Sequence, residues 1–330
     1  MSTTSVKIAI AGASGETGLS ILNELLKRKD EFTVTALVRP SSVEKPQVQD
    51  IKEKGANVIG IDLDTPLNEL VKSLQGQQIV ISCVIPFASD LEIKLADAAK
   101  AAGVERFIPS FFGPVCPPKG VLVLRETKED VLNHIKKIHL PYTVIDVGWW
   151  YQGTLPRLSS GKIDYMIRFP ITHIYGDGNH PSALTDLRDI GPYVSRIVKD
   201  TRTLNRYVFV YNEIWTQEQV FSLLEQASGE KIEREYLARE AVEAAIGSAG
   251  EEYAKEKSTE NFLGLAINQY ANTVWLRGDN LPKTADYLGY LDGKDLYPDV
   301  SYRNFETFVK EGLEGKGKKT YEGRKLAFEK

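Results

Sequence analysis

Through the first 150 residues, short runs of Val, Ile and Ala alternate with longer stretches whose apolar residues recur every three or four positions. The runs Lys7–Ala11, Thr33–Val38, Val58–Ile61, Ile79–Cys83, Arg106–Pro109 and Tyr142–Val147 predict strands buried on both faces. Between them, Gly15–Arg28, Val48–Lys54, Leu67–Leu74, Ser89–Ala102 and Thr127–Ile138 predict helices. Ser89 and Glu92 have the spacing of a capping box, which predicts the start of the fourth helix. Near-continuous apolar strands alternating with helices imply an α/β fold built on a doubly wound parallel sheet.

The rhythm breaks after Val147. Residues 148–181 are rich in aromatics, Gly and Pro and show no helical period. A helix over Asp186–Lys199 and a strand over Arg206–Val210 restore it, and that strand is expected to rejoin the parallel sheet. Thr216 and Gln219 form a second capping box, opening a helix to about Glu225; a strand over Lys231–Tyr236 and helices to about Tyr270 follow. Two regions are therefore expected: residues 1–152 with 186–212, which carry the sheet, and a smaller α/β region made of 153–185 with 213–330. The closing stretch EGKGKKTYEGRKLAFEK is charged and Gly-punctuated, which predicts a solvated end.

The first strand runs directly into Gly12-Ala-Ser14-Gly15-Glu16-Thr17-Gly18, followed by a helix. The first glycine permits a tight turn, the second brings the backbone close to a pyrophosphate, and the third lets the helix pack on the strand. Free amides at the helix start, Ser14 to Gly18, then receive the anion. In the context of strand, helix and βαβ rhythm this reads as the dinucleotide cradle of a Rossmann fold, in residues 1–152 with 186–212. At the end of the second strand, in ALVRP, Arg39 stands where an acidic residue would select NAD, and its guanidinium suits a 2′-phosphate; a solvated arginine is the alternative. Lys45 adds a second positive charge to that loop. The expected cofactor is NADP(H). Asp62 and Leu63, at the tip of the third strand, are expected near the adenine, with a simple turn as the alternative for Asp62.

Composition narrows the class further. The chain of 330 residues is 42% hydrophobic and 26% charged with a formal net charge of −4, so nothing favours a nucleic-acid partner. The opening MSTTS is polar, no apolar run is long enough to span a bilayer, and Cys83 and Cys116 are the only cysteines. A reducing, cytoplasmic setting without membrane association is expected. His134, His139, His173 and His180 show no metal-ligand spacing, so no metal site is expected. Cys116, with only Lys119 nearby to activate it, reads as inert.

Hydride chemistry needs a proton donor beside the substrate, and the Tyr-x-x-x-Lys pair of short-chain dehydrogenases is missing, since Leu124 stands four residues before Lys128. Lys128 instead lies thirteen residues before Pro141 in LPYTVIDVG. That context, the glycine loop, Arg39, RFIPSFFG (Arg106–Gly113), GDGNHPSALTDLRDIG (Gly176–Gly191) and LYPDVSYRNFETFV (Leu296–Val309) together resemble the isoflavone reductase-like and NmrA-like family of atypical short-chain reductases. The resemblance spans nearly the whole chain and is greatest to fungal members. It implies an NADPH-dependent reductase in which a lone lysine, here Lys128, is the general acid/base, acting on a phenylpropanoid-, flavonoid- or other secondary-metabolite-type substrate. The rival it leaves is a redox-sensing regulator that binds NADP(H) without turnover, against which the lysine at position 128 favours the enzyme. The family commonly carries an acidic residue in PSEFG, where this chain has Phe111 in PSFFG, so its substrates do not transfer directly.

A free lysine, of pKa about 10.4, shuttles protons poorly at neutral pH. Burial beside a polarised nicotinamide would bring it toward roughly 7–8. An exposed face, as expected for His134, Lys136 and Lys137, is the alternative. With this fold, the expected cofactor contacts extend to Val84, Ile85 and Pro86 after the fourth strand, Ser110 and Phe111 after the fifth, and Lys128. Phe111, Phe112, Trp149, Trp150 and Tyr151 are expected to line the site of a small, planar aromatic or enone-like substrate, with His173 a further candidate. The bland reading is that the tryptophans clamp the two regions together. Partners are then a small aromatic molecule and a second copy in a homodimer.

Overall fold

In the first unit, β1 (Val6–Ala11), β2 (Phe32–Val38), β3 (Asn57–Gly60), β4 (Ile79–Ser82) and β5 (Arg106–Ile108) pair in the order β3-β2-β1-β4-β5. All four pairings are parallel, with Ile8 opposite both Val34 and Ile79. An isolated parallel bridge joins Phe107 to Tyr142, just before β6 (Thr143–Asp146), and β10 (Arg206–Phe209) lies beside β6 in a separate three-stranded sheet. The strands between are β7 (Trp149–Trp150), β8 (Ile174–Tyr175) and β9 (Ser182–Thr185). The chain winds outward from β1 to β3 and then returns to β4. The crevice of such a sheet opens at the carboxyl ends of β1 and β4.

The computed structural model describes residues 5–85 and 87–323. They divide into two compact units: one extends to Phe112 and adds Thr127–Ile145 and Ile190–Val208, and the other comprises Gly113–Glu126, Asp146–Asp189 and the residues from Phe209 onward. Helices α1 (Glu16–Lys27), α2 (Pro46–Glu53), α3 (Leu67–Leu74), α4 (Ser89–Ala101), α5 (Val123–Lys137) and α6 (Ile190–Ile197) follow the predicted order. Ala9 and Ala11 of β1 join Leu70, Leu95, Ala99, Val131 and Ile135 of α3, α4 and α5 in one core. Strand alternation sends Ile8 and Ile10, also fully buried, to the other face. There α1 meets α6 at Gly191, whose N–H donates to Ser20 Oγ (3.1 Å) and whose missing Cβ would lie 2.2 Å from the Ser20 carbonyl. Arg106, buried at the start of β5, donates to the Ile197 and Asp200 carbonyls (2.8 and 3.0 Å).

In the second unit, β9 pairs in parallel with β7 and antiparallel with β11 (Glu213–Trp215). Its core gathers Tyr151, Leu184, Phe221, Trp275, Phe305 and Phe308. Arg125, Asp146 and Tyr290, all buried, close a triangle of hydrogen bonds at 2.6 Å each. Among the described residues no helix is long and apolar enough to cross a membrane.

Four expectations need correction. Residues 113–126 and 146–152 pack in the second unit rather than the first, as do 186–189 and 209–212. The reasons are local: β7 pairs with β9, and Cys116, Leu122 and Leu124 cluster with Phe262 and Leu263. The Ser89/Glu92 box does not form; Ala88 is the N-cap residue without a side-chain bond, because Glu92 turns inward to the Ser110 N–H. Asp186–Lys199 begins as a 3-10 turn at Leu187–Asp189, since Asp186 accepts from the N–H and guanidinium of Arg188. Of Lys231–Tyr236 only Tyr236 pairs, within β12 (Tyr236–Leu237) against β8. Glu225, on α7 (Gln217–Ser228), takes both the Ile232 N–H and the Arg234 guanidinium, leaving no run of donors for a ladder. The Thr216–Gln219 capping box does form.

Gly12 and Gly76 have nearly the same left-handed φ, +77° and +75°, but a Cβ on Gly12 would sit 2.4 Å from the Cys83 carbonyl whereas Gly76 is open. Gly76→Ala should therefore cost about 1 kcal/mol, the left-handed penalty alone, and Gly12→Ala about 3 kcal/mol. Denaturant melts of both variants check this; equal losses would contradict the close approach of the loop to β4.

Candidate functional site

The glycine loop is built from backbone. Gly12 turns at φ +77°, the Gly15 N–H donates to the Gly12 carbonyl (2.9 Å), and a Cβ on Gly18 would lie 2.3 Å from that same carbonyl. Gly15, the N-cap of α1, supplies no side-chain cap, so an anion at this helix start would be met by main-chain amides near Ser14, Glu16 and Thr17. Gln47 of α2 holds the Ser14 carbonyl at 2.9 Å. Arg39, at the carboxyl end of β2, is exposed; its carbonyl accepts from the Ser42 N–H (2.8 Å), and its guanidinium makes no hydrogen bond or ion pair among the described residues. Lys45, the N-cap residue of α2, is also exposed.

Asp62 is exposed and forms the turn after β3, its carbonyl accepting from Thr65 N–H at 3.3 Å, while Leu63 packs on the core. The Val84 carbonyl, beyond β4, accepts from Ser110 Oγ (2.9 Å) and Ile85 is 59% exposed. Pro86 lies outside the described residues. The sheet thus brings the glycine loop, Arg39, Asp62, Val84 and Ser110 to one edge, the carboxyl ends of β1 to β5. A cradle that a Cβ would fill, beside a guanidinium without an internal partner, fits a dinucleotide carrying an extra phosphate.

Lys128 belongs to the same edge. Val131, Leu132 and Ile135 bury one stripe of α5, and Lys128 extends that stripe by one turn, so it is half-buried. Its ammonium donates to the Phe111 carbonyl and lies 5.9 Å from the centre of the Phe111 ring. Lys136 and Lys137 are exposed, and His134 pairs with Asp97 at 2.7 Å. Phe111 and Phe112 are 2% and 5% exposed. Phe111 packs in the α/β core, so it offers Lys128 its carbonyl; its ring is core rather than the wall of a pocket. Phe112 holds an uncommon φ of +36° while its N–H donates to the Ile145 carbonyl (2.9 Å).

Sequence reasoning missed Glu92. On α4 it shares a stripe with Leu95, Ala96 and Ala99, and that spacing was the available signal for a buried carboxylate. Glu92 is 5% exposed and accepts the Ser110 N–H at 2.6 Å. Burial raises its pKa, opposed by the Ser110 N–H and the charge of Lys128. Burial, with Glu92 adding to it, pushes the Cys83 thiol up so that it stays protonated.

In the second unit, Trp149 Nε1 donates to the Gly153 carbonyl (3.1 Å) and its ring lies 5.2 Å from that of Tyr270. Trp150 is half-buried and pairs with Thr185. Tyr151 is a core residue instead of a site residue: fully buried against Phe305 and Phe308, it donates to Glu213 (3.0 Å) or the Arg303 carbonyl (3.2 Å). His173 lies beside Thr172 (2.9 Å) and Glu235 (3.4 Å). A cavity of about 430 Å³ is lined by Tyr211, Trp215, Lys294 and Tyr302, but the Lys294 ammonium is already bonded to the Asn212 carbonyl and flanked by two phenol rings.

Tyr151→Phe removes a buried hydrogen bond to Glu213 and should lower stability by about 1–2 kcal/mol. Denaturant melts decide it; a wild-type midpoint would return Tyr151 to the list of ligand-contacting residues.

Comparison with known proteins agrees with this arrangement. The model of the NmrA-like family matches residues 4–309. The asnovolin J 5′,6′-dehydrogenase of Aspergillus novofumigatus is 44% identical over 317 residues, covering 95% of this chain and 97% of that one. An isoflavone reductase-like protein of Olea europaea is 28% identical, covering 92% and 97%. Among solved structures, the binary complex of leucoanthocyanidin reductase with NADPH from Vitis vinifera superposes with a TM-score of 0.76 at 24% identity, covering 93% and 99%. With its glycine loop and its sheet order in the same frame, the chain belongs to the NmrA-like family.

Proposed function

We propose that the chain is an NADP(H)-dependent oxidoreductase of a small, largely planar aromatic or enone-like substrate, with Lys128 as general acid/base. The observation that carries this reading is the half-buried Lys128 ammonium, bonded to the Phe111 carbonyl at the sheet edge that also holds the glycine loop. Relatives named a dehydrogenase and an isoflavone reductase-like protein support the reaction class, and a neighbour of the same fold is named as an NADPH complex. A dehydrogenase and a reductase differ only in the direction of one hydride transfer.

Bound NADPH supplies the hydride. The residues of the chain do the rest: amides of the glycine loop hold the pyrophosphate, and Arg39 pairs with the 2′-phosphate, a contact that NADH cannot make. Lys128 gives a proton to the substrate atom on which negative charge develops, and takes one back in the oxidative direction. The Phe111 carbonyl keeps the amine from swinging into water.

NADPH absorbance, followed with a panel of enones and aromatic allylic or propenyl compounds, tests the reading. Wild-type protein should consume NADPH with at least one member, and Lys128→Ala should lose about 100-fold or more in kcat. Equal turnover by the variant removes Lys128 from the mechanism. NADPH binding without consumption across the panel would favour the cofactor-sensing regulator. Arg39→Ala should weaken NADPH binding about 10- to 100-fold while leaving NADH unchanged. Titration by nucleotide fluorescence reads this directly, and equal loss for both nucleotides would contradict the role of Arg39.

A further inference from the structure

We propose that Glu92 is a positioning residue for Lys128: its side chain fixes the turn whose carbonyl receives the ammonium and places an acidic group beside that contact. The inference rests on the assignment of Lys128 as acid/base for its functional meaning. Its geometry stands separately.

Among the described residues Glu92 is the one carboxylate buried in the first unit, at 5% exposure, and it lies on the stripe of α4 that otherwise buries Leu95, Ala96 and Ala99. A carboxylate in such a place is costly unless its oxygens find donors. Oε1 takes the Ser110 N–H at 2.6 Å, a short, charge-assisted contact. One residue on, the Phe111 carbonyl takes the Lys128 ammonium. Two helices therefore grip one dipeptide: α4 holds its N–H and α5 holds its C=O. Ser110 Oγ, bonded to the Val84 carbonyl (2.9 Å), ties the same dipeptide to the end of β4.

Charge completes the link. Lys128 favours the ionised form of Glu92, and a Coulombic coupling is mutual, so ionised Glu92 favours the ammonium. Cys83, beyond β4, stays a neutral thiol. Glu129, next to Lys128, binds the Tyr207 hydroxyl at 3.1 Å, and Asp97 of α4 is paired with His134 of α5 at 2.7 Å.

The test uses the full chain without added nucleotide, so it does not depend on the substrate. Trace acetylation of Lys128 with acetic anhydride, read by peptide mass spectrometry from neutral to alkaline pH, gives the midpoint at which the amine loses its proton. Glu92→Gln keeps an acceptor for the Ser110 N–H and drops the charge. Its labelling midpoint at Lys128 should fall by about one pH unit, while those of Lys136 and Lys137 stay put. Superimposable Lys128 curves would overturn the proposal. Should Glu92→Gln not fold, the reciprocal measurement decides: the Glu92 carboxyl signal, followed by carbon NMR, should titrate at higher pH in Lys128→Met than in wild type, and an unmoved signal overturns the coupling. Failure of the acid/base assignment looks different, because Lys128→Ala would then turn over like wild type even though Glu92→Gln shifts the labelling curve.

Discussion

A lysine drawn out of water needs oxygen acceptors for its ammonium, and at position 128 the Phe111 carbonyl is one of them. That requirement organises much of the first unit. The carbonyl is available because the chain leaves β5 in a turn, and the turn is fixed by Glu92 and Val84 acting on Ser110. α5 reaches it because Val131, Leu132 and Ile135 seat the helix against α4 and the sheet. An amine on a solvated face would have none of these constraints, and its place along the chain would carry no chemistry.

The sheet gives that amine its neighbours. In the order β3-β2-β1-β4-β5, the carboxyl ends of adjacent strands collect segments that lie far apart in sequence: the loop at Gly12, Arg39, and the Ser110–Phe111 turn. Gly12 can approach the Cys83 carbonyl only because it has no side chain. The glycine loop and Lys128 thus share one edge for a reason of topology.

What was legible in the sequence was local. The glycine loop, the run of β-strands and the Thr216–Gln219 box each depend on residues within one turn or one strand, and each stands as read. Tyr151, Phe111 and Glu92 were misread or missed because their roles are set by distant partners. Tyr151 looked like a member of an aromatic wall, but Phe305 and Phe308 enclose it and Glu213 and Arg303 flank its hydroxyl. Glu92 had the spacing of a cap, and the Ser110 N–H, eighteen residues away, won its carboxylate. The division between units follows the same rule: no composition shift marks residue 113, and only the packing of Cys116 and Leu122 with Phe262 assigns that segment.

The central claim is that a proton held on Lys128 is the one transferred. Its most direct measurement is the pH dependence of kcat/KM for NADPH-driven reduction, on the fastest substrate found, in wild type and in Lys128→Met. The account predicts an alkaline limb in the wild-type profile, as the amine loses the proton it must donate, and a low, flat profile in the variant. A variant that keeps both the rate and the limb would contradict it.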